Sequence, residues 1–304
     1  MTSSLDPNSE IFLSNLQQIQ TRISAAERQL SSGLRVSVAS DAPDQVSSIL
    51  QLRAQIAGIQ QTQQNLSVVS PQVDSAENTI QQAIQVLDTA TSLATQAASG
   101  NSNASQRLDA VSQVQGILAQ LVSLSQTTVN GQYIFSGDQG GQPAYAMNAT
   151  GDGVQQLIQP GPPGQIMDPN GVPISTGLTA QQIFDDQAGG NPAPDNVFGA
   201  VTGLLTALEN NDVPGIQTAL TNIQAASAHL NDESSFYGAV QKNLTAATNT
   251  ASTNLTQLQQ QLSNLQDADV VQASLDLQSA LTNEQAALSA QAQFKPQSLF
   301  NYLG

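Results

Sequence analysis

The sequence predicts a mainly α-helical fold, in which both chain ends build a long antiparallel coiled-coil-like rod and a small β-rich domain is inserted between them. An apolar or small residue recurs at nearly every seventh position between 216 and 265, and a second apolar register runs between 49 and 87. A Gly/Pro-rich block separates the two registers and predicts the insert. The later register comprises Ile216, Ile223, Leu230, Tyr237, Leu244, Ala251, Leu258 and Leu265, and the earlier one comprises Ile49, Leu52, Ile56, Ile59, Leu66, Val73, Ile80, Ile84 and Leu87.

The composition favours a structural protein over an enzyme with an enclosed active-site pocket. Aromatic residues make up 4% of the 304 residues and there is no Trp, so a large globular core is not expected. Charged residues make up only 10%, and Gln, Ser, Thr and Asn fill the faces that Glu and Lys normally occupy on a solvated coiled coil. This pattern indicates that those faces contact protein.

Charge and cysteine content exclude several classes of function. The net charge of -16 repels phosphate and anionic lipid, so we expect no nucleic-acid partner and no membrane partner. The absence of Cys excludes disulfides, thiolate metal sites and a cysteine nucleophile. No stretch reaches the roughly 18 apolar residues of a membrane span. The first eleven residues also lack the basic region and apolar core of a cleaved signal peptide.

The first helix is predicted from about Pro7 to Leu34. Asp6 followed by Pro7 makes a good N-cap and N1 pair, and Gly33 lies near the expected end. Residues 40–43, Ser-Asp-Ala-Pro, then supply a new helix start with Pro in its first turn. The apolar stripe of the first helix comprises Phe12, Leu16, Ile19, Ile23, Leu30 and Leu34.

The second helix should continue to about Ala98 and a third should end by about Thr128. We expect Pro71 to kink or interrupt the second helix, with Asp74 and Glu77 forming a capping box for the restart. The third helix has its apolar positions at Leu108, Val111, Leu118, Leu121 and Val122.

Residues 131–195 form the predicted insert. They hold 12 of the 21 Gly and 8 of the 13 Pro, and they contain no Lys, Arg or Glu, so long helices are not expected there. The runs 132–135 and 154–158 predict short strands, and one short helix is expected near Ile183. Because residues 140–190 contain no heptad positions, we expect the helices to fold without them.

The helical pattern resumes at Asn196, with a break at residues 210–215, and ends in a segment that mirrors the first helix. We expect this last segment and the first helix to pair antiparallel, because neither can bury its apolar stripe alone. The stripe comprises Val270, Leu277, Leu281 and Leu288. The predicted domains are a terminal helical domain (1–42 plus 268–304), a helical rod domain (43–130 plus 196–267) and the outer insert (131–195).

No group of residues suggests a catalytic, cofactor or metal site. His229 is the only histidine, so a His-based metal site or triad lacks partners. Asp152, Asp185 and Asp186 do not follow the spacing of an EF-hand, and the turn at 151–153 lacks the third Gly of a dinucleotide fingerprint. We therefore predict that the chain is not an enzyme and that it needs no cofactor and no metal.

Several short motifs resemble the conserved ends of bacterial flagellins and, more closely, of the hook-filament junction proteins of the flagellum, the third hook-associated protein. A typical flagellin opens with an Asn-Thr-Asn element, which Asp6 to Ile11 lacks. The motifs are Gln-Leu-Ser-Ser-Gly-Leu-Arg at 29–35, Ser-Asp-Ala-Pro at 40–43, Leu-Gln-Leu-Arg at 50–53, Asn65, Ala-Glu-Asn at 76–78, Asn-Gly-Gln-Tyr-Ile-Phe-Ser-Gly at 130–137 and Gln-Ser-Leu-Phe-Asn-Tyr-Leu at 297–303.

The resemblance implies how such a chain assembles and where it works. Paired terminal helices would form an inner core of the polymer, to which Leu299, Phe300 and Leu303 would add an apolar ending, and the insert would face outward. Export would use the flagellar type III apparatus without a cleaved signal peptide, which makes the protein extracellular. The implied partners are other copies of the chain, the hook-side junction protein, flagellin and an export chaperone.

Two other functions stay open at this point. The chain could be flagellin, the filament subunit itself, or a secreted coiled-coil adhesin or needle-tip module that uses the insert for binding. The apolar ending at residues 298–303 argues against a binding module, because such a module has no need to bury a specific C-terminal tail.

Overall fold

The structure, a computed structural model, describes residues 7–99 and 102–293. It confirms the predicted fold class, with long helices from both chain ends and an insert of short antiparallel strands. The helices are α1 (Pro7–Ser32), α2 (Val46–Ala98), α3 (Ala104–Ser125), α4 (Ala180–Phe184), α5 (Val197–Glu209), α6 (Val213–Gln266) and α7 (Val270–Gln293).

Within the described residues the strands form four separate antiparallel hairpins. Each two-stranded ribbon is short, and the turn of the first one, at Asn130 and Gly131, has positive φ at both residues, as a type I′ turn requires. The pairs are β1 (Thr128–Val129) with β2 (Gln132–Tyr133), β3 (Tyr145–Met147) with β4 (Val154–Gln156), β5 (Gln165–Met167) with β6 (Pro173–Ser175), and β7 (Gln187–Ala188) with β8 (Asn191–Pro192).

The described residues divide into two compact units. The terminal unit comprises residues 7–58 and 254–293, and the central unit comprises the described residues between Ile59 and Thr253.

Helices α2 and α6 supply nearly half of the central unit's buried hydrophobic cluster, largely from heptad positions. Six members of the later register, from Ile216 to Ala251, are at most 3% exposed. On α2, Leu66, Val73, Ile80 and Leu87 are buried at the same spacing, and alanines fill the alternate positions. The two helices share one hydrophobic cluster, whose α2 alanines are Ala76, Ala83, Ala90, Ala94 and Ala97.

Pro71 does not interrupt α2, and the expected restart is wrong. Helix α2 runs unbroken through this residue. Pro71 and Ser67 are both exposed, so water can hydrogen-bond the Ser67 carbonyl that has lost its N–H partner. Instead of capping a helix, the Asp74 carboxylate accepts from Gln241 Nε2 on α6 at 2.9 Å, and the Glu77 carboxylate accepts from Gln81. Burial of neighbouring residues such as Leu66 and Val73 stabilises the helix on both sides of the proline.

The insert is not independent of the helices. The ring centroids of Phe135 and Phe184 lie 5.9 Å apart, and Phe184 stacks on Phe198 of α5 at 5.6 Å. Tyr145 of β3 packs against the same Phe198, and its hydroxyl donates to Asp185 at 2.9 Å. These rings belong to the hydrophobic cluster of α2, α3, α5 and α6. We therefore no longer expect the helices to fold unchanged without residues 140–190.

Burial of the Tyr145 side chain raises the pKa of its phenol above the ordinary range, and the neighbouring Asp185 carboxylate adds to this shift. The hydroxyl therefore stays protonated at neutral pH and keeps donating to Asp185. Asn196, the N-cap of α5, donates to the other oxygen of the same carboxylate at 2.7 Å. The insert is thus tied to the first turn of α5 by hydrogen bonds as well as by packed rings.

In the terminal unit, the segment that follows α1 pairs with the segment between α6 and α7. Helix α1 ends at Ser32, two residues before the predicted end, because Gly33 adopts φ +70° and its N–H closes on the Gln29 carbonyl at 2.8 Å. The Ala268 N–H then donates to the Gly33 carbonyl at 2.9 Å, and the N–H groups of Arg35 and Val36 donate to the Gln266 carbonyl.

The loop before α2 is held by Asp41. Helix α2 begins at Val46 rather than directly at residues 40–43, and the Asp41 carboxylate folds back on the loop instead of capping the helix. It accepts hydrogen bonds from the Val38 N–H, the Ser37 N–H and the Ser37 hydroxyl, all at 2.9 to 3.0 Å. These donors lower the pKa of the Asp41 carboxyl, with the Val38 and Ser37 backbone groups contributing most.

Replacing Phe184 with Ala should destabilise the helices of the central unit as well as the insert. Phe184 is fully buried between Phe135 and Phe198, so its truncation should cost about 3–5 kcal/mol of unfolding free energy. Leu157→Ala is the control, because Leu157 is 48% exposed. Chemical denaturation followed by helical circular dichroism measures both variants. An unchanged helical transition in Phe184→Ala would show that the insert folds separately.

Asp41→Asn should loosen the loop at neutral pH. A carboxyl whose pKa is lowered on folding stabilises the folded loop above its unfolded pKa of about 4, and that stabilisation is lost as pH falls through the lower folded pKa. Hydrogen exchange at the Ser37 and Val38 amides measures the effect. We expect faster exchange in Asp41→Asn, with a weaker dependence of loop opening on acid pH.

Asp44→Asn makes the same change of charge in the same loop and should leave the exchange of these two amides unchanged. Equal exchange in both variants would contradict the role given to the Asp41 carboxylate.

Candidate assembly surface

Helices α1 and α7 pair antiparallel, as the sequence predicts. They are in contact with each other, and the chain at the end of α1 forms an antiparallel bridge, Leu34 to Asp267, just before the start of α7. Because the C-terminal end of one helix lies beside the N-terminal end of the other, the two must run in opposite directions.

The predicted stripe of α1 lies at the contact but is only partly covered. Its six predicted members are half-buried, and the most buried residue of α1 is Ala26, at 4% exposed. Ala26 continues the alternating steps of three and four residues from Ile23 to Leu30. Because alanine is weakly apolar, Ala26 gives little signal in the apolar pattern of the sequence. The half-buried residues are Phe12, Leu16, Ile19, Ile23, Leu30 and Leu34, the last of which lies just beyond the helix.

On α7 the buried face is not the predicted stripe. The buried residues are Ala273 and Ala280, and Leu277, Glu284 and Ala287 are half-buried at the same heptad steps. Small residues therefore form the seam against α1. Among the predicted residues only Leu277 belongs to this seam, whereas Val270, Leu281 and Leu288 are 53%, 42% and 50% exposed.

The exposed residues Val270, Leu281 and Leu288 form a second apolar ridge beside the alanine seam. With 3.6 residues per turn they lie about 60–80° around the helix from the centre of the seam. We call these three residues the α7 ridge. A single helix partner covers only one stripe, so the pairing with α1 leaves the α7 ridge open to solvent.

Further exposed apolar side chains on the two helices were missed by the sequence analysis. They do not follow the heptad steps, so the periodicity gave no signal for them. Once the seam is located, a helical wheel shows that they lie outside it. These residues are Ile11 and Leu13 on α1 and Val271 and Leu275 on α7. The predicted assembly residues Leu299, Phe300 and Leu303 lie outside the described residues.

The titratable groups do not converge on a reaction centre in the part of the chain that the structure describes. His229 lies on α6, and its Nε2 is 2.9 Å from the Gln182 carbonyl oxygen. Asp152 accepts from Asn148 and Thr150 in its own turn, and Asp185 accepts from Tyr145 and Asn196. Across residues 7–99 and 102–293 no three His, Cys, Asp or Glu side chains are grouped to hold a metal ion.

The same described residues contain no helix that is long enough and apolar enough to cross a membrane. Large exposed apolar side chains are instead concentrated in the terminal unit, on α1 and α7 and the segments beside them. Such clustering of exposed apolar side chains on one helix pair is typical of a surface that binds protein.

Two models of flagellin regions match this chain at its two ends. Residues 7–140 match the bacterial flagellin N-terminal helical region, and residues 220–303 match the bacterial flagellin C-terminal helical region. The chain is also 32% identical over 116 residues to Flagellin B of Helicobacter pylori. That match covers 38% of this chain and 23% of the relative, so the chain spans less than a quarter of the curated relative it matches.

Solved structures share the fold. A protein from Vibrio parahaemolyticus described as a flagellar hook-associated protein superposes with a TM-score of 0.64 at 19% identity, covering 75% of this chain and all of that one. The flagellar junction protein FlgL from Legionella pneumophila superposes with a TM-score of 0.54 at 14% identity, covering 66% of this chain and 99% of that one. At these identities the likeness concerns the fold alone.

The two flagellin models together match more than two thirds of the sequence, in the order and at the chain ends where the paired helices α1 and α7 lie. This chain belongs to the bacterial flagellin family.

Proposed function

We propose that the chain is a structural subunit of the bacterial flagellum that joins the hook to the filament. The observation that carries the proposal is the α7 ridge, an apolar surface that the chain's own helices leave uncovered beside a seam of alanines. In a polymer, the same ridge would be buried against α1 or α7 of neighbouring subunits. The shared fold with a solved junction protein supports the junction role over other roles in the flagellum.

The residues proposed to carry assembly are those of the two terminal helices and the chain ending. The inner core would comprise residues 1–42 and 268–304, with 43–130 and 196–267 outside it and 131–195 outermost. The assembly residues are Phe12, Leu16, Ile19, Ile23, Leu30, Leu34, Val270, Leu277, Leu281, Leu288, Leu299, Phe300 and Leu303. Within one subunit, α1 packs against α7. The exposed residues Val270, Leu281 and Leu288 remain available to contact a neighbouring subunit.

The proposal includes partners and location. The subunit would contact other copies, the hook-side junction protein and flagellin, and it would need an export chaperone to keep its apolar ridge covered before export. It would work outside the cell, exported by the flagellar type III apparatus without a cleaved signal peptide. The chain would have no catalytic activity, which is supported by the dispersed titratable groups and by the structural role of the family.

Flagellin is the second candidate, because the curated match is to a filament protein. A filament subunit extends on its own kind, since its two contacting surfaces match each other in an open helical polymer. A junction subunit has unlike neighbours on its two sides, so it should not continue itself.

We expect the purified protein to stay monomeric or to form short oligomers under salt conditions in which flagellins polymerise. A strain that lacks the gene should still make hooks but should release flagellin into the medium. Negative-stain microscopy and immunoblots of the culture medium measure these outcomes. Long, uniform filaments grown from this protein alone would support flagellin instead.

Leu281→Asp should block incorporation without unfolding the subunit. Leu281 belongs to the exposed α7 ridge, so the carboxylate would be solvated in the monomer but would have to be buried without a partner in the polymer. Thr282→Asp is the matched control, since Thr282 is the next residue, is exposed, and lies on the far side of α7 from the seam.

Both variants should keep the helical content and melting transition of the native protein. Only Leu281→Asp should be missing from isolated hook-filament assemblies in a complemented deletion strain. Equal incorporation of the two variants would remove the α7 ridge from the assembly surface.

A further inference from the structure

A second candidate surface lies in the central unit, between the β5–β6 hairpin and α6. It is a groove of about 490 Å³. It runs beside α6 from Phe236 to Thr250, which corresponds to about 21 Å of helix. Phe236, Val240 and Ala247 contribute apolar surface from α6, and Val172 and Ile174 contribute it from the hairpin. We call this cavity the α6 groove.

The polar groups that line the α6 groove are largely used by the chain itself. The Asp168 carboxylate accepts from the N–H groups of Asn170 and Val172. The Ser175 hydroxyl donates to the Gly177 carbonyl, and the Thr250 hydroxyl donates to the Ala246 carbonyl. A small polar ligand would need several free polar groups pointing at one place. The groove offers apolar surface instead, including Val172, which is 56% exposed.

The charged residues of the central unit are predominantly acidic. Between residues 59 and 253 the sequence has fourteen Asp and Glu residues but only two permanent cations, Arg107 and Lys242. Arg107 is 8% exposed and donates to the Ala97 carbonyl and to Asn211, so its charge is not available at the surface. Lys242 is therefore the exposed cation of this unit.

Lys242 stands at the edge of the α6 groove. It follows Ala239 by three residues and precedes Ala246 by four, and both alanines line the groove, so all three share one face of α6. Within the described residues its ammonium group has no carboxylate within ion-pair distance. A free cation beside an apolar groove suits a partner that presents apolar side chains next to a carboxylate.

We propose that the α6 groove and Lys242 form a contact between two copies of this chain. A second copy fits this requirement, because its central unit carries exposed carboxylates that can pair with Lys242. Copies that carry a net charge of -16 repel each other, so a contact needs a place where charge is absent or paired. The groove of one copy would receive a different surface of the next, in a head-to-tail contact around a ring.

This inference rests on the proposed function, which places copies side by side in one layer. It adds a specific contact in the central unit to the proposed packing of the terminal helices. The test therefore uses purified protein and measures self-association directly, whereas the junction role is tested in cells.

The first test compares two variants with the same change of charge. Lys242→Gln and Gln224→Glu each make the chain more negative by one charge, and Gln224 is an exposed residue of α6 outside the groove. Sedimentation velocity over a range of concentrations measures the association constant. Lys242→Gln should weaken association by about two- to fivefold at low salt, as expected for an exposed ion pair. The difference should shrink as salt screens the pair.

Gln224→Glu should have a smaller effect, since it changes only the overall repulsion. An equal effect of the two variants would mean that net charge alone controls association, which would overturn the role of Lys242.

The second test uses the absence of cysteine from the natural chain. Asn243→Cys places a single thiol in the groove, and Gln224→Cys places one on α6 outside it. Each variant is labelled with a benzophenone maleimide, irradiated at concentrations up to the solubility limit, and examined by gel electrophoresis and mass spectrometry. Covalent dimers from Asn243→Cys, joined to an acidic surface of the second copy, are the expected result.

No dimer from Asn243→Cys, or equal yields from both thiols, would overturn the contact. A junction role confirmed in cells together with either of these outcomes would show that the groove proposal alone has failed. A groove dimer from a protein that also grows long filaments would keep the contact and reject the junction role.

Discussion

The use of alanine on the buried faces of the long helices is the constraint on which the rest of the structure depends. On α2 a large apolar residue alternates with alanine along the heptad, as with Val73 and Ala76 or Ile80 and Ala83. Helix α6 uses the same alternation, and α7 uses alanine on its buried face. Alanine lets two helix backbones come close, but it removes little apolar area from water. Long helices are needed because each turn contributes little, and a third element must cover whatever the seam leaves exposed.

The two units meet that need in different ways. In the central unit α3, α5 and the insert add large side chains to the seam, among them Leu118, Leu204 and Phe198, and the heptad residues become fully buried. In the terminal unit α1 and α7 have mainly each other, so the stripe of α1 is half-buried and the α7 ridge stays open. The described terminal pair is therefore incompletely buried, and in the proposed assembly helices of other subunits would cover what it leaves exposed.

Local signals predicted much of this arrangement from the sequence. Heptad spacing located α2 and α6, Asn196 marked the start of α5, and Ile183 marked the short helix α4. Features that depend on a partner were not predictable. Which stripe of α7 faces α1 depends on packing against α1, whereas the sequence pattern favours the four larger apolar residues over Ala273 and Ala280. Likewise, the exposure of Pro71 is decided by the packing of its neighbours, because residue type alone does not specify the buried face.

The placement of charge explains how such a chain can stay soluble while keeping surfaces for assembly. The fourteen carboxylates of the central unit repel those of another copy, which opposes unspecific association. The candidate contacts lie where charge is sparse: the α7 ridge carries only apolar residues, and the polar side chains of the α6 groove mostly bond to their own backbone. Repulsion elsewhere means that two copies gain free energy only when these particular surfaces meet. In the proposed assembly, association is therefore favoured at a few defined apolar places on a largely polar surface whose charged groups are mostly acidic.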